Sequence, residues 1–294
     1  MTLGRALLAS LRPRQWTKNA LLLAPLVFAH RVTNPGSVRS ALLAVVAFSL
    51  LASAVYLGND LADRDRDRAH PVKRERPVAA GLLSPGWAGG AALLLGAASL
   101  LLAWALGAVF FAWCVGYLAL QALYAGVLKQ VAVVDVFAVA AGYVLRVVAG
   151  AAAIQVPVSN WLYLCTLLLA LFLALEKRRA EILLLGAEAE HHRGILSAYS
   201  VGLLDQLSGI AAAAAVLAYS LYTLAPDTAQ KFGSDRLKYT IPFVLFGIYR
   251  YLWLSHRAGE GGEPERVLLR DGPTQLNLVG WLATVAWAIY GRAG

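Results

Sequence analysis

Nine long apolar stretches dominate what this chain of 294 residues can fold into. They fall at roughly 15–30, 37–62, 85–104, 107–125, 132–153, 159–180, 203–224, 238–257 and 275–292. A helix needs about 20 consecutive apolar residues to cross a bilayer core. In lipid every backbone polar group must find its partner internally, so stretches of this kind are helices. Only 15% of the residues are charged, against about 25% in soluble domains. Turn signals separate the stretches: Asn34-Pro35-Gly36, Ser84-Pro85-Gly86 and Pro157. The expected fold is therefore an all-α membrane protein, a bundle of nine transmembrane helices forming one polytopic domain over residues 1–294.

Charge sets the orientation. Lys and Arg crowd the N-terminal arm (Arg5, Arg12, Arg14, Lys18), the loop after the second stretch (Arg64 to Arg76), and the segments near Lys177 and Arg266. The positive-inside rule then places the N-terminus in the cytoplasm and the C-terminus outside. Residues 1–14 form an arm without the small-residue cleavage site of a signal peptide. Within it, residues 2–11 read as a short amphipathic helix lying in the interface. The net charge of +9 does not indicate nucleic acid, because the cations sit on one membrane face and no nucleic-acid module is visible. Anionic lipid head groups or a polyphosphate are better partners.

The second stretch ends in Asn59-Asp60-Leu61-Ala62-Asp63-Arg64-Asp65-Arg66-Asp67. On a helix, Asn59, Asp60, Asp63 and Asp67 share one face. Carboxylates that close repel, and a divalent cation removes the conflict. Hard oxygen ligands suit Mg²⁺, which takes one or two carboxylates and completes its shell with substrate phosphates. The alternative is a solvated helix end, its acids paired with the interleaved arginines. The loop that follows carries Lys73, Arg74 and Arg76, then Pro77 and Gly81. Such cations clamp phosphate oxygens, or simply follow the positive-inside bias.

Residues 56–81 resemble the UbiA-type superfamily of intramembrane prenyltransferases. The family hallmark NDxxDxxxD is present at Asn59–Asp67, and its RPxxxG at Arg76–Gly81. The nine-helix count agrees with that family. The resemblance implies a UbiA-type bundle with a cytoplasm-facing active-site cavity, Asp60, Asp63 and Asp67 as metal ligands, Asn59 beside them, and Mg²⁺ as cofactor. Three further stretches are similar to the superfamily branch that transfers phosphoribosyl groups. They are Arg12 to Asn19, Tyr124 through Lys129 and Asp135 to Arg146 and Gly150, and Glu176-Lys177-Arg178-Arg179-Ala180-Glu181. The last stands where most members carry a second acidic motif, and its mixed charge favours a donor with an additional phosphate. That branch implies phosphoribosyl diphosphate as donor, a polyprenyl (decaprenyl) phosphate lipid as acceptor, and a plasma-membrane place in building cell-wall arabinan precursors. Substrate-binding roles then fall to Arg14, Lys18, Lys73, Arg74, Arg76, Tyr124, Lys129, Asp135, Arg146, Lys177 and Arg178.

Several of these have plainer readings. Asp135 lies near a helix mouth, where it either serves the site or pairs with Lys129 or Arg146. Arg146 sits deeper and serves packing or phosphate. Tyr124 and Lys129 also suit an interfacial belt, and Arg14 and Lys18 an orientation role. Cys114 and Cys165 are isolated in apolar runs and read as small buried hydrophobes. Adjacent His191 and His192 point to different sides of a helix, as an exposed cap would. No catalytic triad or Walker loop is visible. Two other functions stay open: a UbiA-type enzyme moving a prenyl group from prenyl diphosphate to an aromatic or other acceptor, and a lipid transporter without chemistry. Homo-oligomerisation is left open.

Overall fold

A computed structural model describes residues 2–69, 71–185, 194–258, 262 and 264–291. The described residues form helices and no strands. The chain divides into two compact units, Met1–Lys129 with Leu145–Val158, and Gln130–Val144 with Ser159–Gly294.

The first unit begins with α1 (Leu3–Leu11), a 3-10 segment (Pro13–Leu23) and α2 (Ala24–Phe28). It continues with α3 (Pro35–Ala62), α4 (Arg64–Ala69), α5 (Pro85–Leu106) and α6 (Ala108–Gly126). Asn34 starts α3 by accepting from the Ser37 N–H at 2.9 Å, with Pro35 in the first turn, where its missing N–H costs nothing. Ser84 and Pro85 start α5 in the same way. Small residues let α3 and α5 pack closely: a side chain at Gly96 would touch the Ala54 methyl at 3.8 Å, and Ser99 donates to the Ala47 carbonyl at 2.8 Å. Phe48, Phe110 and Tyr117 form the aromatic centre of this unit, with ring centroids 5.4–6.0 Å apart. The outer face of α5 exposes Leu93, Leu94, Leu101 and Trp104. Such a face suits lipid, not water.

The expectation of one continuous helix over 15–30 needs correction. Pro13 opens a 3-10 segment and a short α-helix follows it. Asn19 is pulled inward, donating to Ser49 Oγ at 3.0 Å and accepting from Arg146 Nε at 2.9 Å. The Leu22 backbone lies so close to Gly150 that a Cβ there would sit 2.3 Å from the Leu22 oxygen. The tighter winding accommodates that approach.

The second unit holds α8 (Asn160–Leu185), a 3-10 segment (Gly194–Ala198), α9 (Val201–Leu224), α10 (Pro226–Phe232), α11 (Ile241–Ala258), α12 (Pro264–Arg270) and α13 (Gly272–Tyr290). Its core gathers Phe172, Leu175, Leu204, Ala211, Ala215 and Tyr251. Asp271 caps α13 and also accepts from Arg250 at 2.7 Å. Residues of α7 (Val134–Ala153) belong to both units. Among the described residues, six helices, α3 and α5 to α9, are long and apolar enough to cross a membrane. The stretches expected at 238–257 and 275–292 appear as α11 and α13, outside that six. His191 and His192 lie outside the described residues.

Candidate active site

The end of α3 brings the acidic motif to a point. The helix stops at Ala62, Asp63 caps it, and α4 restarts at Arg64. Asp67 is thus on a second short helix, yet Asp67 and Asp60 are both buried. What joins them is Arg76, which donates to Asp67 Oδ2 at 2.7 Å and to Asp60 Oδ1 at 3.2 Å.

The loop behind Arg76 explains its aim. Val78 and Leu83 are fully buried against Leu57, Ala88 and Ala6 of α1. The Leu83 N–H bonds the Pro77 carbonyl at 3.0 Å, and Gly81 turns the chain at φ 75, a conformation other residues adopt only with strain. Arg68 clamps the Ala79 carbonyl at 3.1 Å. The RPxxxG segment is therefore a folded hook that holds one guanidinium against two carboxylates.

A second cation comes from Arg12, for which composition and spacing gave no site role. It caps α1 in the left-handed conformation, φ 52, although it is bulky and precedes a proline. Its guanidinium lies over the Tyr56 ring at 4.9 Å and donates to Asp60 Oδ1 at 2.5 Å. Burial pushes the Arg12 guanidinium below its ordinary value, and the Asp60 charge opposes that. The signal for Arg12 was the Arg-Pro break between an amphipathic helix and an apolar run.

Both arginines spend themselves on one Asp60 oxygen. The other, Oδ2, is buried and accepts no hydrogen bond among the described residues. A buried carboxylate oxygen left so is costly, roughly 1–3 kcal/mol or more. It suits a hard cation. Among the described residues no group of three acidic, His or Cys side chains is preformed around a metal. Mg²⁺ does not ask for one, since it binds through one or two carboxylates and substrate oxygens. The donor set fits the ion. Asp63 sits at the rim, 3.7 Å from Arg66, and Asn59 is half-buried in the last turn of α3. Thus the helix-end pairing does form for Asp63 with Arg66 and Asp65 with Arg68, but not for the buried pair at the centre.

The other expected residues of the first unit lie on several of its elements. Arg14 and Arg74 are exposed, and Lys73 is half-buried at the start of its turn. Lys18 donates to Gln15 at 2.5 Å. Tyr124 and Lys129 are half-buried at the end of α6 and in the turn after it. Arg146 is buried, donating to Asn19 and to the Tyr117 hydroxyl at 3.1 Å, so it ties the 3-10 segment to α6.

The second unit has its own polar cluster. Asp135, fully buried, accepts from Arg178 Nε at 2.6 Å and from the Tyr199 hydroxyl at 2.7 Å. Arg178 also donates to Glu181 at 2.7 Å. Asp135 therefore partners Arg178 in its own unit. The Tyr199 oxygen accepts from the Val133 N–H at 2.6 Å and so braces a β-branched residue held at φ 68. Burial pushes the Tyr199 phenol up to about 12, and its bond to Asp135 adds to this. Glu176 is fully buried and accepts from Ser208 at 2.5 Å and from Ser255. Arg179 pairs with Asp205 at 2.6 Å, and Lys177 alone of this run is exposed. Tyr199, Ser208 and Ser255 were not foreseeable, because each arrives from a distant segment. Cys114 and Cys165 are free and half-buried or deeper, as expected of small hydrophobes.

Fold and motif together define a multi-pass helical membrane protein with a carboxylate–arginine cluster at the end of one span. The chain belongs to the UbiA prenyltransferase family, whose model matches residues 20–180. A decaprenyl-phosphate phosphoribosyltransferase of Mycobacterium tuberculosis is 38% identical over 288 residues, covering 95% of this chain and 93% of the relative. One from Corynebacterium glutamicum is 37% identical over 294 residues, covering 98% and 88%. Among solved structures, a UbiA homologue from Archaeoglobus fulgidus bound to GPP and Mg²⁺ superposes with a TM-score of 0.73 over 97% of this chain and 99% of that one, at 21% identity. That likeness establishes the fold.

Proposed function

We propose that this protein transfers the 5-phosphoribosyl group from phosphoribosyl diphosphate to a polyprenyl phosphate, decaprenyl phosphate above all, releasing diphosphate. The geometry that carries the proposal is the buried Asp60 carboxylate, braced by two arginines on one oxygen and unsatisfied at the other among the described residues. The near full-length likeness to the two phosphoribosyltransferases supports this choice of donor and acceptor.

Asp60, Asp63 and Asp67 would hold Mg²⁺, with Asn59 beside them; when bound, the ion supplies positive charge to the donor's diphosphate. Arg76, with Lys73 and Arg74, turns toward the diphosphate oxygens. Lys129 would hold the 5-phosphate, and Arg14 and Lys18 would serve the mouth of the site. A phosphate oxygen of the acceptor forms a bond to C1 of the ribose. The bond from C1 to the diphosphate oxygen breaks, and that oxygen keeps the electron pair. The acceptor phosphate is ionised at neutral pH (second pKa about 6), so no general base is needed. Catalysis rests on positioning and on cations aimed at the leaving group. In the second unit, Asp135, Arg178 and Tyr199 keep the start of α7 in shape.

The segment 13–28, α11 and α13 join the six long helices as further spans, giving nine in one polytopic domain. The N-terminus and the acidic motif face the cytoplasm of the plasma membrane, and the product supplies cell-wall arabinan precursors. The test is an assay with labelled phosphoribosyl diphosphate and polyprenyl phosphate in membranes containing the protein. Mg²⁺-dependent appearance of lipid-soluble label is expected. Activity with a prenyl diphosphate and no lipid-soluble ribose label would overturn the proposal.

A further inference from the structure

The far end of α3 carries a second polar feature, unrelated to the transfer reaction. Arg39 enters α3 one turn after Pro35, about 30 Å from Asp60 at about 1.5 Å per residue. It lies on the wall between two adjoining hollows of the first unit, of about 590 and 440 Å³. Ligand sites commonly occupy roughly 300–1,000 Å³. Among the described residues, Arg39 is the one charged residue lining either hollow, and no acid faces it there. Its guanidinium has no hydrogen bond or ion pair among the described residues. The side chains of Ser37, Ser40 and Gln155 on the same wall also have none. Gln155 is held at φ 55, strained for a residue other than glycine.

The second hollow differs in chemistry. It runs along Val38, Leu42 and Val46, successive turns of one α3 face, and Leu42 and Val46 are about half exposed, at 53% and 49%. A lone cation with three uncommitted hydrogen-bonding groups, opening onto an aliphatic track, matches an anionic head with an acyl chain.

We propose that this end of α3 is a binding site for an anionic phospholipid, its phosphate held by Arg39 with Ser37, Ser40 and Gln155, and one acyl chain lying along Leu42 and Val46. Arginine suits phosphate because its planar fork donates two parallel bonds. A zwitterionic lipid brings a compensating cation to the same place and gains less. The site is independent of the proposed reaction and stands or falls apart from it.

The full-length protein is purified from micelles holding equal amounts of phosphatidylglycerol and phosphatidylcholine, and retained lipid is weighed by native mass spectrometry. The wild type retains phosphatidylglycerol preferentially, and Arg39→Gln lowers that retention by about tenfold or more. Arg31→Gln, an exposed cation at the same end but outside both hollows, leaves it unchanged. Equal retention by wild type and Arg39→Gln overturns the proposal, as does an equal loss in Arg31→Gln, which marks diffuse surface charge. Displacement of the lipid by inorganic phosphate alone would also overturn it, assigning the rim to a free anion.

Discussion

Replacing Arg76 by Gln removes the guanidinium that joins Asp60 and Asp67. The two carboxylates are 1% and 5% exposed, whereas Arg76 is 28% exposed. Breaking a buried ion pair costs about 3–5 kcal/mol. Here the lower end applies, about 3 kcal/mol, because Arg76 is partly solvated and Arg12 still faces Asp60 at 2.5 Å. Two opposite consequences follow. The aspartates lose a competing cation, so Mg²⁺ alone stabilises Arg76→Gln more than it stabilises the wild type. The donor loses a phosphate clamp, so kcat/KM falls by roughly 10²–10³, the usual cost of removing one donor to a developing anion. Thermal unfolding with and without Mg²⁺ reads the first, and diphosphate release reads the second. Arg76→Lys keeps the charge without the fork and falls between. If Arg76→Gln unfolds like the wild type, gains nothing extra from Mg²⁺ and keeps activity within threefold, the hook has been misread.

Gly81→Ala places a side chain at φ 75 and costs about 1–2 kcal/mol; it should lower kcat/KM by displacing Arg76, visible in the same diphosphate assay. Gly150→Ala meets backbone at 2.3 Å, a clash that no flexible side chain absorbs; reduced yield of folded protein is expected, whereas wild-type yield and melting would deny the close approach. Tyr199 has its phenol held above the ordinary value, so the folded state keeps a proton that the unfolded chain gives up. Stability is full below the unfolded Tyr value near pH 10 and declines as pH climbs from there toward about 12; Tyr199→Phe should lack that share of the alkaline loss in pH-dependent unfolding.

Apolar length made the span boundaries legible. Stretches expected at 37–62 and 203–224 appear as Pro35–Ala62 and Val201–Leu224. Helix capping by Asn34 and Ser84, with a proline after each, made those starts readable. The helix expected at 15–30 forms instead as a 3-10 segment and a short α-helix, where the Leu22 backbone meets Gly150, a residue distant in sequence. The same limit governs the site. Asp60, Asp67 and Arg76 were visible as two adjacent motifs, because their spacing is local. That Asp135 accepts from Arg178, and that Tyr199 joins the pair, depends on segments brought together only by folding. Arg12 shows the same thing at short range: its charge was plain, but its approach to Asp60 follows from a left-handed cap that no spacing rule announces.

Calorimetric titration of phosphoribosyl diphosphate into purified wild type and Asp60→Asn, each with Mg²⁺ and with chelator, bears most directly on the carboxylate as the anchor of the donor. Saturable binding should occur only in wild type with Mg²⁺, while Asp60→Asn stays folded and silent. Equal heats from Asp60→Asn, or undiminished binding without divalent cation, would contradict that role.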